Sequence, residues 1–291
     1  MATVEVFDPK DSTFHLDGTL VAKRCMHSAV LLPDGKVLLV GGLGEEDEPW
    51  PLSIERYDPT TRRSEVIGQL PKGAAHAPTV LLTDGTVFIA ALGYGPDFAA
   101  RFDPRTRKVT VIGGPSAMPM SDASAVRLAS GEVLVTGWGR THGSNAFLFD
   151  PSTNRLSATG RMRQDRFGHL SILLKDGRVL VAGGHQARTC EIYDPKSGAF
   201  TSVGDLRASI SRPFAALLPD GRVLIVGEQE GGAMRNEAYI FDPSTGALKE
   251  IAPPDGFFLM AGLLKRENGD VWLVSDTGTI AKYNARKSAW N

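Results

Sequence analysis

The sequence predicts an all-β fold, a six-bladed β-propeller with four antiparallel strands per blade, and three observations carry that prediction. Six apolar runs each turn back on a glycine, an aromatic-Asp-Pro phrase recurs between them, and both repeat at the period of a propeller blade.

The turn glycines Gly35, Gly85, Gly131, Gly177, Gly221 and Gly269 lie 44 to 50 residues apart in the 291-residue chain. In five copies the glycine follows Asp or Asn; Ser130 takes that place in the third. Glycine accepts positive φ without steric cost, so these dipeptides between β-rich runs predict hairpins joining strand a to strand b.

The second phrase reads Phe7-Asp-Pro9, Tyr57-Asp-Pro59, Phe102-Asp-Pro104, Phe149-Asp-Pro151, Tyr193-Asp-Pro195 and Phe241-Asp-Pro243, with a degenerate copy at Tyr283-Asn-Ala285. The Asp side chain accepts from the amide two residues on while Pro presets φ, so each phrase predicts a turn from strand c to strand d. In the first blade this places strand a at 27–32, b at 36–40, c at 53–57 and d at 62–67. The blades run approximately over 24–68, 74–113, 120–160, 166–204, 211–252 and 257–291 of a single domain. Six hairpins and seven c phrases leave a half-blade spare. The N-terminal strands, residues 3–17, are therefore expected to join the C-terminal blade and close the ring, removing exposed edges.

The double glycines Gly41-Gly42 and Gly183-Gly184, the aromatic-Asp-Pro phrase and Arg166-Phe-Gly-His169 before strand a resemble kelch repeats, here of a stand-alone, bacterial type. The resemblance covers nearly the whole chain; Ala90-Ala91 and Val226-Gly227 depart from the double glycine. It implies a kelch-type propeller and a function among interaction modules or, less often, enzymes: sialic-acid epimerases, nitrile specifiers and copper oxidases. The copper oxidases need a Tyr–Cys crosslink with further Tyr and His ligands. Here Tyr57, Tyr193 and Tyr283 belong to the repeat and Tyr239 to a strand, leaving Tyr94 in a loop. The specifier pattern Glu-x3-Asp-x3-His is absent, as are a P-loop, His-Glu-x-x-His and Gly-x-Ser-x-Gly. No metal and no cofactor are expected.

The formal net charge of −1 offers no global field for nucleic acid or an anionic membrane. No apolar run reaches the length of a membrane span and the first residues do not read as a secretory leader. With Cys25 and Cys190 the only cysteines, a cytoplasmic protein with reduced thiols is expected.

In a four-stranded meander the a–b and c–d turns share one face, and the b–c and d–a loops share the other. The first set is uniform; the second has no common sequence, and divergent loops on a rigid scaffold carry function. The loop face gathers Trp50, Tyr94, Trp138, Phe257 and Phe258 beside Arg140, Arg163, Arg188 and Arg235, a mixture suited to binding a ligand or peptide. Arg24, Arg166 and Arg212 precede strand a and read either as packing between blades or as carboxylate ligands. His27, His76 and His169, with Asp122 in the corresponding place, read either as seam residues or as binding residues. His142 and His185 repeat nothing and are the candidate acid/base residues. Asp97, Asp165, Glu228 and Glu230 are candidate carboxylates, with Glu228 placed in the binding set. The acidic run 45–48 lacks the spacing of a calcium loop.

Two functional classes follow. In the first, a small polar or anionic ligand is held at the loop mouth, with metal-free acid/base chemistry of the isomerase, lyase or cyclase type: Arg140 and Arg188 orient it, Trp138 and Tyr94 stack on it, His142 or His185 moves protons. In the second, the same surface is a non-catalytic platform for an acidic peptide; a glycan-binding module shares features of both.

Overall fold

Every aromatic-Asp-Pro phrase folds as its chemistry dictates. Asp8, Asp58, Asp103, Asp150, Asp194 and Asp242 each accept the backbone amide two residues on, at 2.8 to 2.9 Å. The a–b turns are equally uniform: each turn glycine is left-handed, φ 81° to 95°, and donates its amide to the carbonyl three residues back, at 2.9 to 3.1 Å. The Ser130-Gly131 copy closes like the rest, because the glycine conformation decides the turn.

The computed structural model describes residues 2–44, 49–91, 98–112, 120–139, 144–231, 235–254, 260–275 and 278–290, and among these every regular element is a strand. The chain divides into two compact units, Met1–Thr159 and Gly160–Asn291. The first contains blade 1 (Ser28–Leu31, Val37–Val40, Ser53–Asp58, Arg63–Gln69), blade 2 (Thr79–Leu81, Val87–Ala91, Phe98–Asp103, Lys108–Ile112) and blade 3 (Met120–Arg127, Val133–Gly139, Ser144–Asp150, Arg155–Ala158). The second contains blade 4 (Leu170–Leu173, Val179–Ala182, Thr189–Asp194, Ala199–Asp205), blade 5 (Ile210–Leu217, Val223–Gln229, Asn236–Asp242, Ala247–Ile251) and blade 6 (Met260–Lys265, Val271–Ser275, Ile280–Asn284, Ala289–Trp290). All six are antiparallel meanders a-b-c-d.

Strand b reads as an unbroken apolar run because neighbouring blades cover both its faces. Leu38 and Val40 of blade 1 pack with Ile54 and, across the seam, with Val87, Ile89 and Phe102 of blade 2. In the second unit Leu180, Ala182 and Ile192 meet Val223, Ile225 and Phe241. The core is a series of seams between blades, each supplied by two of them.

The N-terminal strands, Thr3–Asp8 and Thr13–Thr19, do not pair where the spare half-blade suggests. Their hairpin is joined to the sheet of blade 1 through one parallel bridge, Thr19 to Arg63. The last blade fills its own four places, with Asn284 turning strand c into d by accepting the Lys287 amide. The expected pairing of residues 3–17 with the C-terminal sheet is thus corrected, and packing explains it. Val4 and Leu20 lie against Val37, Leu39 and Tyr57, the Tyr57 hydroxyl donates to Asp17, and Gly18 faces the Tyr57 ring as Gly68 faces Phe102 in the next seam. The hairpin seats on blade 1 as the c–d half of a preceding blade would.

Candidate functional site

Arg24 and Arg166, read from the sequence as packing or binding residues, lie wholly inside their blades. Arg166 ion-pairs with Glu191 at 2.6 Å, both side chains at zero exposure, and also donates to the Gly183 carbonyl and to the Thr189 carbonyl and hydroxyl. Glu191 in turn accepts the amides of Arg163 and Gln164. Blade 1 repeats this with Arg24, Gly41, Ser53 and Glu55, and Glu55 accepts the Val21 and Ala22 amides. Burial works to raise the Glu55 pKa. Hydrogen bonds from Ser64 and those amides, with the Arg24 charge, outweigh it and leave the carboxyl below its ordinary value. These pairs tie the d–a entry loop to strands b and c, and so set the height of the loop face.

The entry loops also correct the sequence alignment of their residues. Met26, His76, Asp122, Gly168 and Arg212 all have φ between 41° and 59°. In two seams the amide of this residue reaches the matching carbonyl one blade back: His76 to Met26 and Arg212 to Gly168, each at 3.0 Å. His76 and Asp122 therefore correspond to Met26, Gly168 and Arg212, while His27 and His169 stand one position later, level with Ala77, Ala123 and Pro213. Arg212 is likewise not the counterpart of Arg24 and Arg166; Ile210 is. A one-residue slip is invisible in loops of equal length, and only the backbone conformation fixes it. His169 is buried; burial first, and then the Arg166 charge, lower its pKa to about 3.

On this frame blade 4 builds a titratable pair. Gly184, φ 105°, has no room for a Cβ, which would come within 2.9 Å of the Phe167 carbonyl. That close approach brings the His185 amide onto the same carbonyl at 2.9 Å and lays its ring on Phe167, centroids 4.7 Å apart. Glu230, leaving strand b of blade 5, puts Oε1 2.5 Å from His185 Nδ1 and accepts the Gln186 amide on Oε2 at 2.8 Å. The Glu230 carboxylate accepts from Nδ1, which leaves Nε2 as the other nitrogen of a side chain that is 44% exposed.

Arg163 and Arg188 in the blade 4 loops and Arg212 and Arg235 in blade 5 are exposed and have no ion-pair partner among the described residues. Gln164 joins the two loops that carry Arg163 and Arg188, donating to the Gln186 carbonyl and accepting from Thr189. Glu228, the carboxylate placed in the binding set, is half-buried opposite Asn236; Glu230 is the one that meets the histidine. Phe167 and Gln186 were missed, for an aromatic residue beside a buried arginine carries no signal of its own. In the first unit Trp50 packs over Gly73. Tyr94, Asp97, Arg140, His142, Phe257, Phe258 and the side chain of Trp138 lie outside the described residues.

A family model for the kelch motif matches residues 24–71, the whole of blade 1. Blade 1 thus carries a kelch motif. Among curated proteins it is similar to Adagio-like protein 3 of Oryza sativa subsp. japonica, 27% identical over 186 residues, which covers 60% of this chain and 29% of that protein. Among solved structures it is similar to a fungal alcohol oxidase described as novel, with catalytic diversity among the AA5 family and in complex with copper. The TM-score is 0.75 at 15% identity, over 94% of this chain and 63% of that one, a likeness of fold. This chain thus spans less than two thirds of the length of either protein. Among the described residues no three His, Cys, Asp or Glu side chains converge, and Tyr57, Tyr193, Tyr239 and Tyr283 are buried in strand c.

Proposed function

We propose that the loop ends of blades 4 and 5 bind a small polar or anionic molecule and that His185 is the acid/base residue of this site. Kelch propellers commonly bind proteins or small ligands, and the contact between His185 and Glu230 carries the reading toward a small ligand. Its parts come from divergent loops of two blades and meet across their seam, and the histidine ring they hold is exposed to solvent. Arg163, Arg188 and Arg212 supply fork-shaped donors for a carboxylate or phosphate. No metal enters the chemistry, which is of the isomerase, lyase or cyclase type. His142 and its neighbours in blade 3 take no part in this reading.

The test is a thermal-shift screen of organic acids, sugar acids and phosphates against the native chain and His185→Asn. A ligand at about a hundred times its dissociation constant adds roughly 2.7 kcal/mol, so a true ligand raises Tm in the native chain and much less in the variant. Equal shifts in both would remove His185 from the site.

The exposed arginines favour a second reading, a platform for an acidic protein segment. It predicts that an acidic peptide binds the native chain and His185→Asn alike, and loses affinity in Arg188→Glu and Arg212→Glu. A cytoplasmic location with Cys25 and Cys190 reduced, and one propeller domain over residues 1–291, belong to the same proposal. No helix among the described residues is long and apolar enough to cross a membrane.

A further inference from the structure

The left-handed position in the entry loop sets the same backbone demand in every blade where it is described, and glycine meets that demand at least cost. Blade 4 uses glycine there, Gly168. Blades 1 and 2 instead hold Met26 at φ 54° and His76 at φ 50°, two residues for which this conformation costs about 1–2 kcal/mol each. Their side chains meet: the His76 Nε2 and Met26 Sδ atoms are 3.0 Å apart, while the His76 amide holds the Met26 carbonyl at 3.0 Å.

A thioether and an imidazole are both neutral donors, and thioether sulfur selects soft metal ions. Met26 is 44% exposed, and the thiol-bearing Cys25 beside it is exposed as well. His27 follows directly, so Cys25 and His27 are two further soft or borderline donors on either side of Met26 in the chain. Glu55, the carboxylate that Arg24 of this segment reaches, is spent on that arginine in the interior. A thioether and an imidazole themselves offer no negative oxygen to a hard divalent cation such as magnesium or calcium, whose sites are built from oxygen ligands. Typical bond lengths are about 2.3 Å from metal to sulfur and about 2.0 Å from metal to imidazole nitrogen, so trigonal coordination separates the two donors by roughly 3.7 Å. From 3.0 Å that is a movement of well under 1 Å. Methionine, with three rotatable side-chain bonds, makes it at little cost.

We propose that Met26 and His76 form a binding site for a soft monovalent ion, silver(I) or copper(I), at the seam of blades 1 and 2, with Cys25 or His27 as the third donor. The site lies in the other unit from His185 and is independent of the function proposed there. Nothing in the spacing of the sequence reveals it, since the two residues are fifty positions apart and reach each other only through the seam.

Silver(I) and copper(I) are titrated into the intact chain against a chromophoric competitor, under anaerobic conditions with a thiol-free buffer for copper. The expected result is one saturable equivalent, a sulfur–nitrogen first shell in the X-ray absorption spectrum, and no competition by a tenfold excess of magnesium. Met26→Gly copies blade 4 and keeps the backbone conformation, so it folds; His76→Asn keeps a residue that tolerates left-handed φ. Each should weaken binding by about tenfold or more, and oxidation of Met26 to the sulfoxide should do the same. If both variants bind within about twofold of the native chain, or if Cys25→Ser alone abolishes uptake while Met26→Gly leaves it intact, the site is a cysteine site and the proposal fails.

Discussion

Blades 1 and 4 have one interior and two surfaces. In both, an arginine from the entry loop spans the blade to a glutamate in strand c and to a hydroxyl two residues before it: Arg24, Glu55 and Ser53 in one, Arg166, Glu191 and Thr189 in the other. In both, a glycine with φ 105° admits the entry loop against strand b. Above that frame blade 1 presents Cys25, Met26 and Leu43, and blade 4 presents Phe167, Gly168 and His185 at the same three places. The positions that hold the blade together are repeated, and those one residue away are free to acquire different chemistry.

The largest expected effect comes from breaking the shared interior. Glu191→Ala leaves Arg166 buried without its anion and should lower stability by about 3–5 kcal/mol, read from the denaturant midpoint. Blade 5 shows the alternative, with Ile210 in the arginine place and Tyr239 in that of the glutamate, its hydroxyl accepting the Arg207 amide. The double variant Arg166→Ile with Glu191→Tyr should therefore recover part of the loss; a double variant as unstable as the sum of its singles would show that the pair is not replaceable.

Next is pH. The depressed pKa of His169 means that the unfolded chain takes up a proton the native one refuses. Its contribution is complete above the ordinary value of 6.5 and is lost as pH falls from there toward 3. The depressed Glu55 acts in the same direction at lower pH, complete above 4.5 and lost below it. Stability should decline below pH 6.5 by up to about 1.4 kcal/mol per unit from the histidine. His169→Ala, which copies the residue at this place in blades 2 and 3, should flatten that limb and leave the lower one.

Smaller still is the cost of altering the blade 4 surface. His185→Asn should change stability by less than about 1 kcal/mol, since its partner is a surface pair, while removing the ligand response. The smallest effect has the opposite sign: Met26→Gly relieves a left-handed methionine and should leave the chain as stable or more so by up to about 1 kcal/mol. Loss of more than that would show that the thioether packs as core.

Legibility followed range. The aromatic-Asp-Pro turns and the glycine turns were readable because each is decided within four residues, and even the degenerate Tyr283-Asn-Ala copy turns as its Asn allows. His185 was readable as a residue that repeats nothing. Its partner was narrowed only to several carboxylates, because which loop carbons of blade 5 approach blade 4 depends on the seam. The alignment of His76 with His27 failed by one residue for the same reason, as did the pairing of residues 3–17: a half-blade carries the same strand pattern wherever it docks.

By itself, the sequence determined the period, the six hairpins, the turn chemistry and which loops diverge, since local hydrogen bonds and glycine conformation do not depend on distant chain. Tertiary structure alone decided that Arg166 and Arg24 are interior, that Glu230 reaches His185, and that Met26 touches His76. The arginines reach across their own blades and the other two contacts cross seams between blades, both set by packing that no short stretch of residues encodes.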